Sequence, residues 1–496
     1  MENSDSDNNT QSPGGEAASN QQASEYGEAD GSQRGTETGQ SAGGPQANES
    51  SETSSNQSTS KTGESASQHS DSRGATPTTT LANFITGLRA NLRVRQAFTL
   101  YAASFAGIPL GIVTSIIFTR FLGPEGYGDF AFLDTLFDFG RAIFPLGFFY
   151  AGNRALVLND NPRTAREYYG AGLAYLFIVF LLMVVVMGAY GLLDPNLADK
   201  GLTRFYFYLL PFGWIFLMGP YFDNMLHPDN RIHELAAVRF FPKVITFAAA
   251  LAIWFLLRDF QGNRLAIVWP VYLGAFLSVY ILVFSRIRIS FRNLRTRMQT
   301  IWAYNRRYGI HLHIGHLFSN GAIALTGILI SYFSPDNRGV GFFFLALAIS
   351  RPLALIPGVI AATWFKDFAR QQRASRQLTG FTILLSLTAF AALLLLAGPF
   401  IRFFYTDEFL PVINLVYLCG TAMLLHGIAT FYNRFLEAHG HGKIVRNVFI
   451  ATGLSLLAVN LLLIPSYGVH GAAIAMIISS VVYFAGCVWG YVRVVG

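Results

Sequence analysis

From Ala97 to Val495 the chain alternates long apolar stretches with short polar segments. A bilayer core takes about 20 apolar residues per helix. The runs predict twelve membrane helices, near 97–119, 129–151, 168–192, 205–226, 236–257, 265–284, 308–333, 340–364, 379–398, 411–433, 447–464 and 468–492. The polar positions between them are ordered. With the N-terminus in the cytoplasm, 24 Lys and Arg fall in inside segments and 7 in outside loops, the asymmetry that orients multi-pass proteins. Arg231, Arg239 and Lys243 count with the inside set, as do the seven arginines of 285–307. The pattern predicts an all-α polytopic protein of the plasma membrane with both termini cytoplasmic.

The pattern also repeats. Pro124-Glu-Gly-Tyr-Gly-Asp-Phe130 follows the first span and Asp336-Asn-Arg-Gly-Val-Gly-Phe342 the seventh, each leading into a helix with a proline deep inside it, Pro145 and Pro357. Tyr221-Phe-Asp-Asn-Met-Leu226 and Phe431-Tyr-Asn-Arg-Phe-Leu436 recur with the same offset of about 210 residues. Six helices per half is an even number, so the halves share orientation and form a parallel repeat, an arrangement typical of transporters with a site between the halves. The expected organisation is a six-helix lobe over 81–284, an Arg-rich cytoplasmic linker over 285–307 and a second six-helix lobe over 308–496. The first and seventh helices hold small residues (Ala102, Ala103, Gly107, Gly111; Gly315, Gly321, Gly327) that favour close packing and bending.

Composition changes the picture at one end only. Residues 1–80 contain no Leu, Ile, Val, Phe or Trp and carry a net charge of −9, which leaves +16 on the rest. Such a segment cannot offset its ordering entropy by burial and reads as a disordered acidic cytoplasmic tail. It lacks the apolar core of a cleavable signal peptide, so the first span is expected to act as the targeting signal. The positive charge of the body lies beside apolar helices, which points to membrane lipids and not to nucleic acid. Cys419 and Cys487 sit in apolar runs and suggest neither a disulfide nor a metal site. No cofactor is implied.

The candidate chemistry is intramembrane charge. Asp134, Asp138 and Arg141 share one helix face by their spacing. Charges at that depth cost about 2.5–3.5 kcal/mol each, so they face a bundle interior or a wet cavity. Either the three line a central cavity, with Arg141 holding an anionic group and Asp134 or Asp138 coupling to a cation or orienting the arginine, or Asp138 and Arg141 form a structural ion pair. Asp134 lies toward the outer end, where solvation would satisfy it. Arg351 occupies the place in the second half beside that of Asp138. Pro352 and Pro357 follow it and are expected to open backbone carbonyls toward the cavity. Arg141 and Arg351 facing each other would suit a diphosphate by charge-assisted hydrogen bonds; alternatively, Arg351 pairs with an acid from another helix. Weaker candidates are Asp223, with Asn224, Asn433 and Arg434, which equally read as helix-end caps, and His426, a lone intramembrane imidazole. His311, His313 and His316 have the wrong spacing for a shared metal. Gly123, Gly126 and Gly128 mark a tight outer turn, since neither a preceding strand nor a following Lys-Ser/Thr makes a phosphate loop.

Four stretches carry a resemblance. Phe118-Thr-Arg-Phe-Leu-Gly-Pro-Glu-Gly-Tyr-Gly128 resembles the hallmark turn of polysaccharide-biosynthesis flippases, the O-antigen type translocases of the multidrug/oligosaccharidyl-lipid/polysaccharide exporter superfamily. Gly339-Val-Gly-Phe-Phe-Phe-Leu-Ala-Leu347 looks like its second-half echo. Phe404-Tyr-Thr-Asp-Glu-Phe-Leu-Pro411 and Ile464-Pro-Ser-Tyr-Gly-Val-His-Gly-Ala-Ala-Ile-Ala475 resemble the family's segments before the tenth and last helices. The resemblance covers about 90–495 and excludes the tail. It implies a MATE-like fold and a monomeric flippase, not an enzyme, that moves an isoprenoid-diphosphate-linked oligosaccharide to the outer leaflet by alternating access. Glycan-assembly enzymes are its candidate partners. It transfers no site residue, because the family keeps no fixed motif in its cavity.

Three rivals remain from the residues, one of them a scaffold that transports nothing, against which charges buried on proline-bearing helices argue. A multidrug or cation antiporter of the same superfamily usually relies on an acid in the first helix, and 97–119 has none. A membrane glycosyltransferase or polymerase generally needs a sizeable outside loop, and none is long enough here.

Overall fold

A computed structural model of the chain describes the backbone of residues 92–495 apart from positions 160 and 258, and the side chains of these except 92–105, 319, 320 and 366. The acidic tail expected over 1–80, and Arg89 of the inside set, lie outside the described residues. The numbered helices are α1 Leu92–Ile143, α2 Phe148–Val157, α3 Pro162–Leu193, α4 Thr203–Leu226, α5 Ile232–Leu256, α6 Leu265–Arg286, α7 Leu294–Tyr304, α8 Ile310–His316, α9 Ala322–Tyr332, α10 Arg338–Thr363, α11 Arg376–Phe404, α12 Val412–Ala438 and α13 Gly442–Val495. Short helical turns, Pro195–Asp199 and Phe365–Phe368, remain unnumbered. Among the described residues there is no strand, so the all-α expectation holds.

Nine of these helices are long and apolar enough to cross a membrane. Two exceed any single crossing. α13 has 54 residues and α1 has 52, about 80 Å each at 1.5 Å per residue, against a core of about 30 Å. Each contains one residue that is not helical, Gly468 (φ 54°, ψ −134°) and Gly123 (φ 73°, ψ 176°). Positive φ is open to glycine and costly for other residues, so the chain turns back at these points without a loop. The glycine-rich outer turn is therefore a bend within α1. Residues 305–332 continue as helix in which α8 and α9 alternate with wider π-helical turns at Asn305–Gly309 and Leu317–Gly321. These turns fall in the glycine-bearing seventh span, and such widenings recur at functional sites.

Packing follows small residues, because lipid gives helices no hydrophobic reason to associate. In the first half α1 packs on α5 and α5 on α6; in the second, α12 packs on α10 and α13, and α1 joins the halves through α9 and α10. A β-carbon at Gly427 of α12 would lie 2.9 Å from the Ala354 Cα of α10. The repeated motif is buried alike in both halves: Tyr221, Phe222 and Leu226 match Phe431, Tyr432 and Leu436 in place, and all but Tyr432 are buried. Cys419 and Cys487 are buried and unpaired.

The linker is not a plain tether. α7 forms inside it and docks on α2 and α3. Arg297 Nε bonds Glu167 Oε2 at 2.7 Å, and the Ser290 amide bonds the Arg166 carbonyl at 3.0 Å.

Candidate functional site

The second predicted span breaks. α1 ends at Ile143, the chain passes Pro145, Leu146 (φ 46°) and Gly147 (φ 84°), and α2 begins at Phe148. Proline removes a backbone donor and crowds the carbonyl four residues back. The exposed carbonyls find partners at the end of the linker and the start of the seventh span: Asn305 Nδ2 bonds the Leu146 carbonyl at 3.0 Å, and His313 Nε2 lies 2.9 Å from the Ile143 carbonyl. A side chain at Gly147 would collide with the Gly309 backbone. Pro352 and Pro357 behave otherwise. α10 runs through both as continuous helix, so the chain does not break there as it does at Pro145.

One turn before the break, Asp138 and Arg141 face a cavity of 290 Å³. Its charged lining is Asp138 and Arg141 from α1, Asp223 from α4, and Arg239 and Lys243 from α5; Tyr272, Phe276 and Tyr280 of α6 form an aromatic wall. Arg141 bonds Asp138 Oδ2 at 3.1 Å, and Arg239 bonds Asp223 Oδ1 at 2.8 Å. All four are accessible, Arg141 to 44% and Arg239 to 39% of their side chains, as expected of charges that must stay hydrated inside an apolar bundle. Lys243 lies along Gly107 of α1, where a β-carbon would come within 2.8 Å of its Nζ. Neither Lys243 nor Arg351 has an ion-pair partner among the described residues.

Arg351 projects from α10 into the field of this group. It interacts electrostatically with Asp138, Arg141 and Asp134, and also with Lys243. The two arginines singled out from the sequence are thus brought together, and so are both aspartates. The ion-pair alternative holds at the same time for Asp138 and Arg141. Asp134 is half-buried and so differs from the expectation of plain solvation at its end of the helix. Its Oδ1 is buried without a hydrogen-bond partner, while the Tyr272 hydroxyl bonds its carboxylate.

The weaker candidates divide. Asp223 joins the cavity. Asn433 and Arg434 are instead taken up by Glu437 on their own helix, each at 2.7 Å, and His426 stacks on Tyr483 at 4.5 Å. His313 is held at the break and His316 stacks on Tyr150 at 5.1 Å. Sequence reasoning missed Arg239, Lys243, Tyr272 and Tyr280. The signal was present: Arg239 and Lys243 are one helical turn apart in an apolar run, so both face one side, but their place near a span end assigned them to topology.

The part of α1 just after the Gly123 bend joins the halves. A β-carbon at Gly128 would overlap the Asn337 carbonyl. Asn337 Nδ2 bonds Asp129 at 2.7 Å, and Ser331 Oγ bonds Asn337 Oδ1 at 2.6 Å. Lys200 Nζ reaches the Ser331 carbonyl, Ser331 Oγ at 2.8 Å and Asn337 Oδ1 at 3.0 Å, and Glu125 and Arg338 approach to 3.5 Å. Burial pulls the Lys200 amine down to about 8, against the raising effect of Asp129 and Asp336. The two repeated turns therefore form a clasp.

The sequence profile described as "Polysaccharide biosynthesis protein" matches residues 94–365. Among solved structures, lipid II flippase MurJ in an inward closed conformation is similar at 13% identity, over 80% of this chain and 89% of that one, with a TM-score of 0.62. An inward-facing multidrug resistance MATE family transporter of the MOP superfamily is 14% identical over 78% and 94% of the two chains, with a TM-score of 0.61. An outward-facing one gives 14%, 80% and 95%, and 0.54. No curated protein matches the chain. The structural likenesses establish the fold, and the profile covers more than half of the sequence: the chain belongs to the polysaccharide biosynthesis protein family, on the fold of the MOP superfamily.

Proposed function

We propose that the chain is a flippase that moves an isoprenoid-diphosphate-linked oligosaccharide from the cytoplasmic to the outer leaflet. One observation carries this reading. Four cations, Arg141, Arg239, Lys243 and Arg351, gather inside an apolar bundle, and among the described residues Lys243 and Arg351 make no ion-pair contact. An unpaired charge there costs about 2.5–3.5 kcal/mol. A diphosphate would relieve that cost and accept bidentate hydrogen bonds from guanidinium groups. Asp138 and Asp223 would hold Arg141 and Arg239 in place until the cargo arrives. The cavity of 290 Å³ suits the diphosphate end of the cargo; the glycan and tail require the halves to separate.

In this reading the lobes are 81–284 and 308–496, joined by 285–307, with twelve crossings once the bends at Gly123 and Gly468 and the seventh span are counted. Both termini are cytoplasmic, as the arginine asymmetry supports. The clasp at Gly128 and Asn337 closes the outer side, and the lobes rock about it as a monomeric unit. Glycan-assembly enzymes supply the cargo.

The test is made in cells lacking the gene. Lipid-linked oligosaccharide is expected to accumulate on the cytoplasmic leaflet, and to do so again with Arg141→Ala/Arg351→Ala at matched membrane levels. Accumulation in the null alone would remove these arginines from the site. Unchanged intermediates in the null would remove the cargo. A second reading, a cation-coupled drug antiporter, is favoured by the enclosed carboxylate of Asp134 beside Tyr272; it requires Asp134→Asn to abolish drug export.

A further inference from the structure

Seven arginines lie between 286 and 307, and none of them lines the charged cavity. One side of α7 is committed to docking. Arg297 pairs with Glu167 and lies over the Tyr168 ring, 5.2 Å from its centroid. Asn293 Nδ2 bonds the other Glu167 oxygen at 3.0 Å, and Ile301 is fully buried. The other side is open. Arg295, Gln299, Trp302 and Arg306 follow one another at steps of four, three and four residues, so they share a helix face, and all are exposed. Phe291 and Arg292, just before α7, are exposed as well. Apart from Arg297, none of the seven arginines has an ion-pair partner among the described residues.

Between α7 and α3 runs a groove of 410 Å³, lined by Tyr175, Leu294, Arg295, Met298, Gln299 and Trp302. Its interior is apolar, because the Tyr175 hydroxyl is already bonded to the Met298 carbonyl at 2.9 Å. The polar groups that remain are the Arg295 guanidinium and the Gln299 amide. Beyond Tyr175, α3 exposes Ile178, Leu181, Leu182 and Val185, a surface for acyl chains. An apolar slot with unpaired guanidinium groups at its rim and an exposed tryptophan beside it has the chemistry of a bilayer interface.

We propose that this groove is a binding site for an anionic phospholipid. Its headgroup phosphate rests on Arg295 and Arg292, and the upper part of one chain lies against Leu294, Met298 and Trp302. A lipid seated there touches both sides of the joint that fixes the linker to the first half, so it strengthens that joint. The site is separate from the charged cavity and does not depend on the cargo.

The test uses the full chain, purified in neutral detergent and titrated with phosphatidylglycerol, phosphatidylcholine or inorganic phosphate while its melting temperature is followed. Phosphatidylglycerol is expected to raise it by several degrees, and the other two are not. Arg292→Gln/Arg295→Gln, both exposed positions, should melt like wild type without lipid and require roughly tenfold more phosphatidylglycerol for the same rise. Gln299→Trp, which leaves every arginine in place and fills the rim, should also lose the response. A wild-type response from either variant overturns the site. So does an equal effect of phosphatidylcholine, which would mean apolar filling alone, or of phosphate, which would mean a free-anion site.

Discussion

The two halves carry prolines deep in corresponding helices and treat them differently. In the first, the helix stops at Ile143 and restarts at Phe148; in the second, α10 passes Pro352 and Pro357 without a break. Each proline removes a backbone hydrogen bond, so the contrast lies in the neighbours. Next to Pro145, Gly147 can take φ 84°, and Asn305 and His313 reach the loosened carbonyls. Next to Pro357, Gly427 presses on α10, with the Leu353 carbonyl 3.1 Å from the place of its missing β-carbon. A backbone pinned in that way cannot swing out. Proline marks where a membrane helix is weak, and the helix opens only where another element supplies donors. The charges differ in the same sense. First-half Arg141 and Arg239 face a cavity, whereas of the second-half arginines Arg351 joins their field and Arg434 turns to Glu437 on its own helix.

The largest effect is expected from Gly147→Val. It places a branched side chain at positive φ against the Gly309 backbone, at a cost of about 3 kcal/mol or more. Pro357→Ala, at the counterpart of Pro145 in the other half, should stay within about 1 kcal/mol. Thermal unfolding in detergent compares them, and equal losses would dissolve the contrast. Next, Arg351→Ala should lower transport roughly tenfold to a hundredfold, the worth of a charge-assisted hydrogen bond, with little change in melting temperature. Arg434→Ala should leave transport near wild type, because its exposed pair is worth less than about 1 kcal/mol. Transport assays at matched expression separate the two arginines, and parity between them would remove Arg351 from the cavity. Asn305→Ala strips the Leu146 carbonyl of its donor and should cost about 1–3 kcal/mol, which an unfolding curve will resolve.

The smallest effect concerns the clasp. Lys200 is pulled down to about 8 by burial when the outer turns meet, and a separated clasp exposes it to water at its ordinary value near 10.4. The closed form therefore holds fewer protons between these values, and raising the pH from about 8 toward 10 favours it. Below about 8 the clasp bears the full cost of a buried ammonium. Spin-label distances between positions 125 and 336 should shorten modestly over that range in wild type and not in Lys200→Met.

Much of this was legible in the residues. Apolar period announced a multi-pass helical protein, and the 210-residue repeat picked out two motifs, at 221–226 and 431–436, that are buried alike. Asp138, Arg141 and Arg351 were legible as well, since charge in an apolar run has few reasons to exist. Arg239 and Lys243 were not: a basic residue near a span end serves topology or a cavity equally well, and only the neighbouring helix shows which. Asp134 was misjudged for a related reason. Its depth along the helix suggested water, whereas it is half-buried, with Tyr272 beside it and its Oδ1 shielded from solvent.

The sequence by itself determined the elements, since crossing helices must satisfy their own backbone and so declare themselves in a local apolar pattern. It also determined which side chains carry charge there. Only the tertiary structure decided which proline breaks its helix, which glycines let backbones touch, and which of the buried charges share one space. Those outcomes depend on contacts between residues about 160 to 210 positions apart, such as Leu146 with Asn305 and Asp129 with Asn337, and no local pattern encodes a distance across a bundle.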